Sequence, residues 1–352
     1  MEYKILVAGT APELYPVETL FGLLCYSEMG AIEITKQYPF NGGWTPKPAL
    51  IHIFERQDYP MPEKLDMAWV SIAEFNAYSV ESPLPVEKMQ SLWSSFSDED
   101  RGDFNCITVG MAPYGKVSVW LYSEAKSYLV GWLQAELFDV DEERFKLLNN
   151  GKSPSVICRD YINSIPRVRE NLEQNGLPPR DLFDNYMKQF TYKYVPMFEV
   201  WDESKGDWRK FNEEEEKKGL PVLDYIEEAL FDGTHDKLHD GGLMNYHQAG
   251  KPKKLAVMWH IKKSEYTAYF WFEDEEIRAV FDRFYGTHPE TKTDFMIRID
   301  AEQNKYELAL YRYGLKEPQV INESAYQLLV FKNKFECFRS DNYNQPRGAW
   351  IW

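Results

Sequence analysis

The stretch that decides the fold runs over residues 65–122 and begins with Leu65-Asp66-Met67-Ala68-Trp69-Val70-Ser71-Ile72. Its first, third and fifth residues are apolar, an alternation typical of a β-strand with one face buried. Residues 85–96 are predicted to form a helix that has Pro85 in its first turn, where a missing N–H costs nothing. Residues 103–110 and 116–122 then form a predicted β-hairpin.

The same order of features returns at residues 255–311, where Leu255-Ala256-Val257-Met258-Trp259 matches the first strand. The predicted helices match at Val86, Met89, Trp93 and Phe96 against Asp274, Ile277, Phe281 and Phe284, and three of these four pairs are apolar. The hairpins match at Asp103-Phe104 against Asp294-Phe295, and at Lys116, Val117, Val119, Leu121 and Tyr122 against Lys305, Tyr306, Leu308, Leu310 and Tyr311. The pattern indicates an internal duplication, and the alternative is a generic likeness among hairpins with a crossing helix.

The whole pattern predicts an α+β protein of two related units, each a mainly antiparallel sheet with a packed amphipathic helix. The predicted domains are a first unit at residues 1–140, a partly helical connection at 141–190 and a second unit at 191–352, a possible duplication of the first. Further predicted elements are a strand at 49–54, a strand or short helix at 127–138, helices at 167–174 and 181–190, a hairpin at 190–211, a solvated helix at 213–218 and an amphipathic helix at 223–231.

The 352 residues carry a net charge of −16, which excludes two classes of partner. Nucleic acids and anionic membrane surfaces both attract clustered Lys and Arg, so neither is expected to bind. A basic protein partner fits this charge, and so does the plainer interpretation that acidity keeps the protein soluble. No apolar run approaches the ~20 residues needed to cross a bilayer, so no membrane span is predicted.

The four cysteines, Cys25, Cys106, Cys158 and Cys337, are scattered and form no Cys-x-x-Cys pair. They indicate neither a zinc site nor a disulfide framework, and Cys106 is expected in the core. A reducing compartment is the simplest interpretation, so the chain as numbered is predicted to be cytoplasmic. Removal of a leader would make it periplasmic.

Three histidines, His235, His239 and His247, are the best candidates for metal ligands. His235 and His239 are spaced to share one face of a helix, but Gly241-Gly242 would end that helix early. A surface loop rich in His and Asp explains them better. No nucleophile elbow, Walker loop or dinucleotide fingerprint is present, so no metal, cofactor or catalytic residue is predicted and the protein is expected not to be an enzyme.

Tryptophan supplies the candidate partner-binding residues, because Trp and Tyr dominate binding hot spots. Aromatic residues make up 16% of the chain, so cores rich in Trp, Tyr and Phe are expected. Six of the tryptophans are more than such cores often need. The candidates are Trp44, Trp120, Trp132, Trp201, Trp208 and Trp271. The alternative is that most of them are buried.

Short motifs in the first unit resemble a bacterial family known as domain-of-unknown-function family 2931. They are Tyr15-Pro16-Val17-Glu18, Leu84-Pro85-Val86-Glu87-Lys88, Ile107-Thr108-Val109-Gly110 and Tyr114-Gly115-Lys116-Val117-Ser118-Val119-Trp120-Leu121. The resemblance covers residues 1–140 and defines no catalytic residues. Members are often lipoproteins, and some are encoded beside lipase-type effectors of type VI secretion, which implies immunity proteins. As numbered, this chain is expected to depart from the family in two ways, since no lipoprotein leader is predicted and a second unit is.

The resemblance and the absent catalytic signatures together predict a non-enzymatic immunity protein. Its partner would be a cognate effector of type VI secretion, neutralised by occlusion of the effector's active site. Such inhibition needs an interface of ~800 Å² per partner with a few aromatic anchors. The alternative is a carbohydrate-binding protein or glycan-processing enzyme with an aromatic and acidic cleft between the units.

Overall fold

In the computed structural model, the chain divides into two compact units, Met1–Asn185 and Tyr186–Trp352. The structure describes residues 3–4, 6–27, 30–34, 43–47, 58–97, 100, 105–243, 245–286, 288–300, 302, 305–313, 318–333 and 336–341. The predicted strand at 49–54 and the Asp103-Phe104 pair lie outside these residues. Of the predicted connection at 141–190, the residues up to Asn185 belong to the first unit, and the helix Leu182–Met187 crosses the boundary.

The first unit holds two main sheets. Its strands are β1 (Tyr3–Lys4), β2 (Leu6–Thr10), β3 (Val17–Tyr26), β4 (Gly30–Glu33), β5 (Asp58–Tyr59), β6 (Lys64–Ser71), β7 (Asn76–Pro83), β8 (Cys106–Ala112), β9 (Lys116–Tyr122), β10 (Ser127–Gln134) and β11 (Glu136–Leu137). One sheet has the antiparallel order β4-β3-β6-β7-β11. In the other, β2 runs parallel to β8, and β9 and β10 follow antiparallel. Strands β1 and β5 form a separate pair.

Two of the first unit's helices begin at a side-chain cap, and one ends at a glycine. They are α1 (Val86–Ser94), α2 (Glu142–Leu148), α3 (Pro154–Ser164), α4 (Pro166–Asn175) and α5 (Leu182–Met187), with a 3₁₀ turn at Pro113–Gly115. The side chains of Asp141 and Ser153 accept backbone N–H groups at the starts of α2 and α3. Gly176 ends α4 at φ 69°, in the left-handed region that favours glycine. The predicted helices at 85–96, 167–174 and 181–190 are confirmed, with shifted ends.

The core of the first unit lies between its two sheets and includes the inner side of α1. Leu65, Met67 and Trp69, the alternating residues of the first predicted strand, have no exposed surface. Met89 and Trp93 bring α1 onto the same cluster. Burial of these large apolar side chains is worth about 1.5–3 kcal/mol each and is the main force that joins helix and sheets.

The second unit also holds two sheets. Its strands are β12 (Phe190–Asp202), β13 (Asp207–Arg209), β14 (Val222–Leu230), β15 (His235–Leu238), β16 (His247–Ala249), β17 (Pro252–Ile261), β18 (Ser264–Phe272), β19 (Thr293–Asp300), β20 (Tyr306–Tyr311), β21 (Gln319–Ile321), β22 (Tyr326–Lys332) and β23 (Glu336–Asp341). The antiparallel sheet has the order β15-β14-β17-β18-β22-β23, and the mixed sheet has the order β13-β12-β19-β20-β21 with β12 parallel to β19 and β16 beside β12. The helices are α6 (Glu213–Lys218), α7 (Asp240–Leu243) and α8 (Asp274–Tyr285), with a 3₁₀ turn at Glu323–Ala325.

The two units share one topology. Taken in chain order, β2, β3, β4, β6, β7, α1, β8, β9, β10 and β11 correspond to β12, β14, β15, β17, β18, α8, β19, β20, β21 and β22. Every strand pairing among the first set recurs among the second with the same direction, including the parallel pair of β2 with β8 and of β12 with β19.

The shared topology extends to side chains. Trp69 pairs across the strands with Tyr78 at 5.7 Å between ring centroids, and Trp259 pairs with Tyr266 at 5.6 Å. The neighbouring strand carries a β-bulge directly after the partner of each tryptophan. Origin of the second unit by duplication of the first stays a proposal, and these matched details support it.

The α+β class is confirmed, and one predicted element is wrong. Residues 223–231 are not an amphipathic helix but the strand β14, in which Ile226, Glu228 and Leu230 are buried in alternation. Its Glu and Ala residues favour a helix locally, but pairing with β15 and β17 on both sides overrides that preference. The hairpin at 190–211 and the solvated helix at 213–218 are confirmed, and residues 127–134 form a strand rather than a helix.

Candidate functional site

Three of the candidate tryptophans meet in the first unit. The ring of Trp44 lies 5.3 Å from that of Trp120, 6.2 Å from that of Trp132 and 5.0 Å from that of Phe183 in α5. Trp120 is completely buried, and a side chain without exposed area cannot contact a partner directly. We therefore leave Trp120 out of the candidate surface. Trp44, which contacts Trp120, and Trp132 are half-buried.

The residues around Trp44 cover the outer face of the sheet formed by β2, β8, β9 and β10. We call residues 43–47 the strap. Thr10 Oγ1 donates to the carbonyl of Gly43 at 2.8 Å, and Thr108 Oγ1 donates to that of Pro46 at 2.6 Å. Beneath the strap, β8 is buried along its whole length on both faces. The strap thus closes a sheet face that would otherwise expose polar and aromatic side chains.

A second pair of candidate tryptophans lies at one end of the mixed sheet in the second unit. Trp201 on β12 and Trp208 on β13 pair across the strands, edge to face, at 5.4 Å. The guanidinium of Arg298 lies 6.0 Å from the ring of Trp208, and Lys305 Nζ lies 5.6 Å from that of Trp201. Both rings are half-buried, so each keeps part of its surface exposed. Aromatic rings flanked by cations can hold a partner by apolar, cation–π and charged contacts at once.

Beside this pair, the outer face of the mixed sheet carries an apolar row. Val195, Met296, Ala309 and Val320 lie opposite one another on four adjacent strands, and Met197 is the next outward residue along β12. We call these five residues the methionine face. Ala309 is buried, both methionines and Val195 are half-buried, and Val320 is 52% exposed. The inward residues of the same strands, such as Phe295 and Leu308, belong to the core.

Charged side chains border the methionine face next to Trp208. Arg298 Nη1 donates to Glu307 Oε1 at 3.0 Å, and its Nε lies 3.5 Å from Glu199 Oε2. One guanidinium therefore faces two carboxylates, which leaves an excess negative charge at this edge. An open cavity of about 360 Å³ lies beside Val320 and is lined in part by Lys305, Val320 and Glu323.

The last candidate, Trp271 on β18, stacks on Tyr269 at 5.4 Å with the rings 27° apart. Lys254 Nζ lies 4.8 Å from the ring centroid of Tyr269 and 5.4 Å from that of Trp271. Burial lowers the pKa of Lys254 to about 8. This group lies on the other sheet of the second unit, so the structure does not bring Trp271 together with Trp201 and Trp208.

The histidines do not share a helical face. His235 begins the strand β15, and its Nε2 lies 2.9 Å from Glu227 Oε1. His247 lies on β16, and the helix α7 starts only after His239. Among the residues that the structure describes, no group of three or more His, Cys, Asp or Glu side chains is placed to hold a metal ion.

A buried polar cluster lies on the inner side of the second unit. Tyr194 Oη donates to Glu228 Oε2 at 2.7 Å, and Tyr192 Oη donates to the carbonyl of Gly250 at 2.7 Å. His247 Nε2 lies 4.0 Å from Glu228 Oε1. Burial raises the pKa of Glu228 to about 8 and lowers that of His247, so both side chains are held mainly neutral near pH 7.

Met197, Met296 and Arg298 are not among the partner-binding residues predicted from the sequence, although the sequence contains a signal that they face outward. In Asp294-Phe295-Met296-Ile297-Arg298-Ile299, large apolar residues alternate with three outward side chains, as in a half-buried strand. Alternation identifies the outward residues. It does not tell whether another part of the chain covers them, as the strap covers their counterparts in the first unit.

The comparisons with known proteins identify a family without a described activity. The sequence model of the family described as protein of unknown function (DUF2931) matches residues 3–179, half of the chain. No curated protein and no solved structure matches the chain. Within the described part of the chain, no helix is both long and apolar enough to span a membrane. The chain belongs to the DUF2931 family of proteins of unknown function.

Proposed function

We propose that this protein is a non-enzymatic binding protein that neutralises an antibacterial effector of type VI secretion by occluding the effector's active site. The observation that carries the proposal is the half-buried pair of Trp201 and Trp208 beside Arg298 and Lys305. Trp and Arg are the residues most enriched in protein–protein hot spots. The family resemblance described above supplies the effector class.

The local structure supports a preformed anchor. Trp201 N donates to Asp300 Oδ1 at 2.9 Å, which ties the end of β12 to β19. Arg209 forms two hydrogen bonds with Glu215, at 2.7 and 2.8 Å, and so joins β13 to α6. A rigid aromatic pair loses little conformational entropy on binding, and this favours tight inhibition.

The test is a pull-down with the full chain as bait against lysate of its own organism, at low and then high salt. The proposal predicts one stoichiometric protein partner whose activity is lost on addition of an equimolar amount of this chain. Binding that weakens in salt would assign a role to the net charge of −16. Failure to capture any protein at either salt would contradict the proposal.

A variant with Trp201 and Trp208 both changed to Ala tests the anchor. Its matched control is Trp271→Ala, which removes a half-exposed tryptophan from the other sheet of the same unit. We expect the double variant to bind the captured partner at least about tenfold more weakly and the control to bind like the wild type. Equal loss in both would contradict the anchor, and urea unfolding would show whether either variant is misfolded.

A further inference from the structure

The methionine face has a counterpart in the first unit, and there the counterpart is covered. Aligning β20 with β9 places Ala309 at the position of Trp120. Met296 pairs with Ala309 as Thr108 pairs with Trp120. On the next strand, Val195 of β12 pairs with Met296, just as Ala8 of β2 pairs with Thr108, so Ala8 is the counterpart of Val195. Two residues further along these strands, Thr10 is the counterpart of Met197.

The same positions differ in exposure between the units. In the first unit Ala8 is 3% exposed, and Thr10, Thr108 and Trp120 have no exposed surface. In the second unit Val195, Met197 and Met296 are half-buried, and Val320 is 52% exposed. In the first unit the strap and Phe183 lie over these positions. In the described part of the second unit, Tyr246 reaches the border of the methionine face, where its Oη donates to Asp294 Oδ1 at 2.7 Å.

The side chains that hold the strap are replaced by side chains suited to an apolar occupant. Thr10 and Thr108 donate hydrogen bonds to the strap, and methionines stand at their positions in the second unit. Methionine is unbranched and polarizable and adapts its shape to aromatic partners, so it is common on protein-binding surfaces. An occupant here would be held through apolar and aromatic contacts.

The charged side chains at the border of the methionine face favour a basic group in the occupant. Glu199 and Glu307 share the single guanidinium of Arg298, so one negative charge is in excess. A basic side chain of the occupant placed there would relieve it. The strap itself has this combination, because Trp44 is followed by Lys47.

From the comparison of the methionine face with its counterpart in the first unit, we infer that the methionine face is a docking surface. Its occupant is a segment of the protein partner that carries an aromatic side chain close to a Lys or Arg. The segment lies across the sheet as the strap lies across its counterpart in the first unit. The open cavity beside Val320 receives one of its side chains. This inference rests on the proposed function, since it requires that the chain bind a protein.

The first experiment compares Val320→Glu with Val222→Glu. The two valines are 52% and 51% exposed and lie on different sheets of the same unit, so both variants are expected to fold. The partner captured by the wild-type bait is the probe. We expect Val320→Glu to weaken its binding by about tenfold or more and Val222→Glu to leave it unchanged.

The second experiment needs no variant. Hydroxyl-radical footprinting of the intact complex should protect Met197 and Met296 from oxidation and leave Met258, a half-exposed methionine of the other sheet, unprotected. A photo-reactive amino acid at position 320 should then cross-link to a partner segment with an aromatic and a basic residue.

The outcomes separate the two claims. Capture of a partner that neither protects the two methionines nor responds to Val320→Glu overturns the docking surface and leaves the proposed function standing. Cross-linking to a second copy of this chain, or to a segment without aromatic or basic residues, also overturns it. If the wild-type bait captures no protein, the proposed function fails and the docking surface with it.

Discussion

Replacement of Glu228 by Gln tests how the buried polar cluster of the second unit responds to pH. Glu228 is 2% exposed, and its carboxyl accepts a hydrogen bond from Tyr194. Gln keeps that acceptor and cannot ionise. Its amide can donate toward His247 Nε2, which lies near the carboxyl and has no hydrogen-bond partner. The substitution therefore removes the charge and preserves the shape of the site.

The size of the change in the free energy of unfolding follows from the pKa of the Glu228 carboxyl in the unfolded and folded states. In the unfolded chain the pKa is 4.5, and burial raises it to about 8 in the fold. Below pH 4.5 the carboxyl is protonated in both states and adds no penalty. Between pH 4.5 and 8 the folded state binds more protons, so stability falls as the pH rises. At 1.36 kcal/mol per pH unit the full effect is on the order of 5 kcal/mol.

The assay is urea unfolding at pH 5, 6, 7, 8 and 9. We expect Glu228→Gln to match the wild type near pH 5 and to be more stable by several kcal/mol at pH 9. A difference between the two proteins that stays constant from pH 5 to 9 would refute the reasoning.

Glu227→Gln is the matched control, on the neighbouring residue of the same strand. Burial alone would raise the pKa of Glu227, but the hydrogen bond with His235 and the charges of Lys237 and Lys254 outweigh it and lower the pKa. Ionised Glu227 therefore contributes stability above its unfolded pKa, and this contribution is lost as the pH falls through the folded pKa. The control should be less stable than the wild type at pH 7, the opposite sign to Glu228→Gln.

The remaining predictions concern packing, capping and binding. Gly110→Ala should destabilise the first unit by about 1–3 kcal/mol, because a Cβ there would lie 2.4 Å from the ring of Trp120. Gly131→Ala, where a Cβ meets nothing within 4 Å, should be near neutral in the same urea unfolding, and equal effects would contradict the packing argument. Asn212→Ala removes the capping box of α6 and should cost about 1 kcal/mol; an unchanged unfolding midpoint would show that the cap is not needed. Binding of the captured partner, followed by titration calorimetry, should weaken from 50 to 500 mM salt by about tenfold or more, and no salt dependence would remove the role assigned to the net charge.

The sequence predicted those parts of the fold that depend on local pattern. Alternating Leu65, Met67 and Trp69 and their counterparts at Leu255, Val257 and Trp259 identified equivalent strands, because one buried face imposes a period of two. Strand β7 was missed because its polar sequence lacks a continuous apolar alternation. Strand β14 was assigned to a helix, because its own residues favour a helix and the local pattern does not show that β15 and β17 pair with it on both sides.

The candidate site was predictable only in part for a related reason. Trp120 and Trp201 both stand in strands rich in apolar residues, and only tertiary structure separates them. The strap covers Trp120 from a distant position along the chain, whereas Trp201 keeps part of its surface exposed. Exposure of a strand face depends on such long-range cover, so the methionine face could not be read from the alternation alone.

If the protein neutralises an effector of type VI secretion, as proposed, it protects its own cell against neighbouring cells that deliver that effector. The most direct test of this protection deletes the gene for this protein and competes the deletion strain against its parent, on a solid surface and in liquid. The account predicts that the deletion strain is killed on the surface, survives in liquid, and is rescued by the wild-type chain and by Val222→Glu but not by the double change of Trp201 and Trp208 to Ala. Equal survival of the deletion strain and its parent on the surface would contradict it.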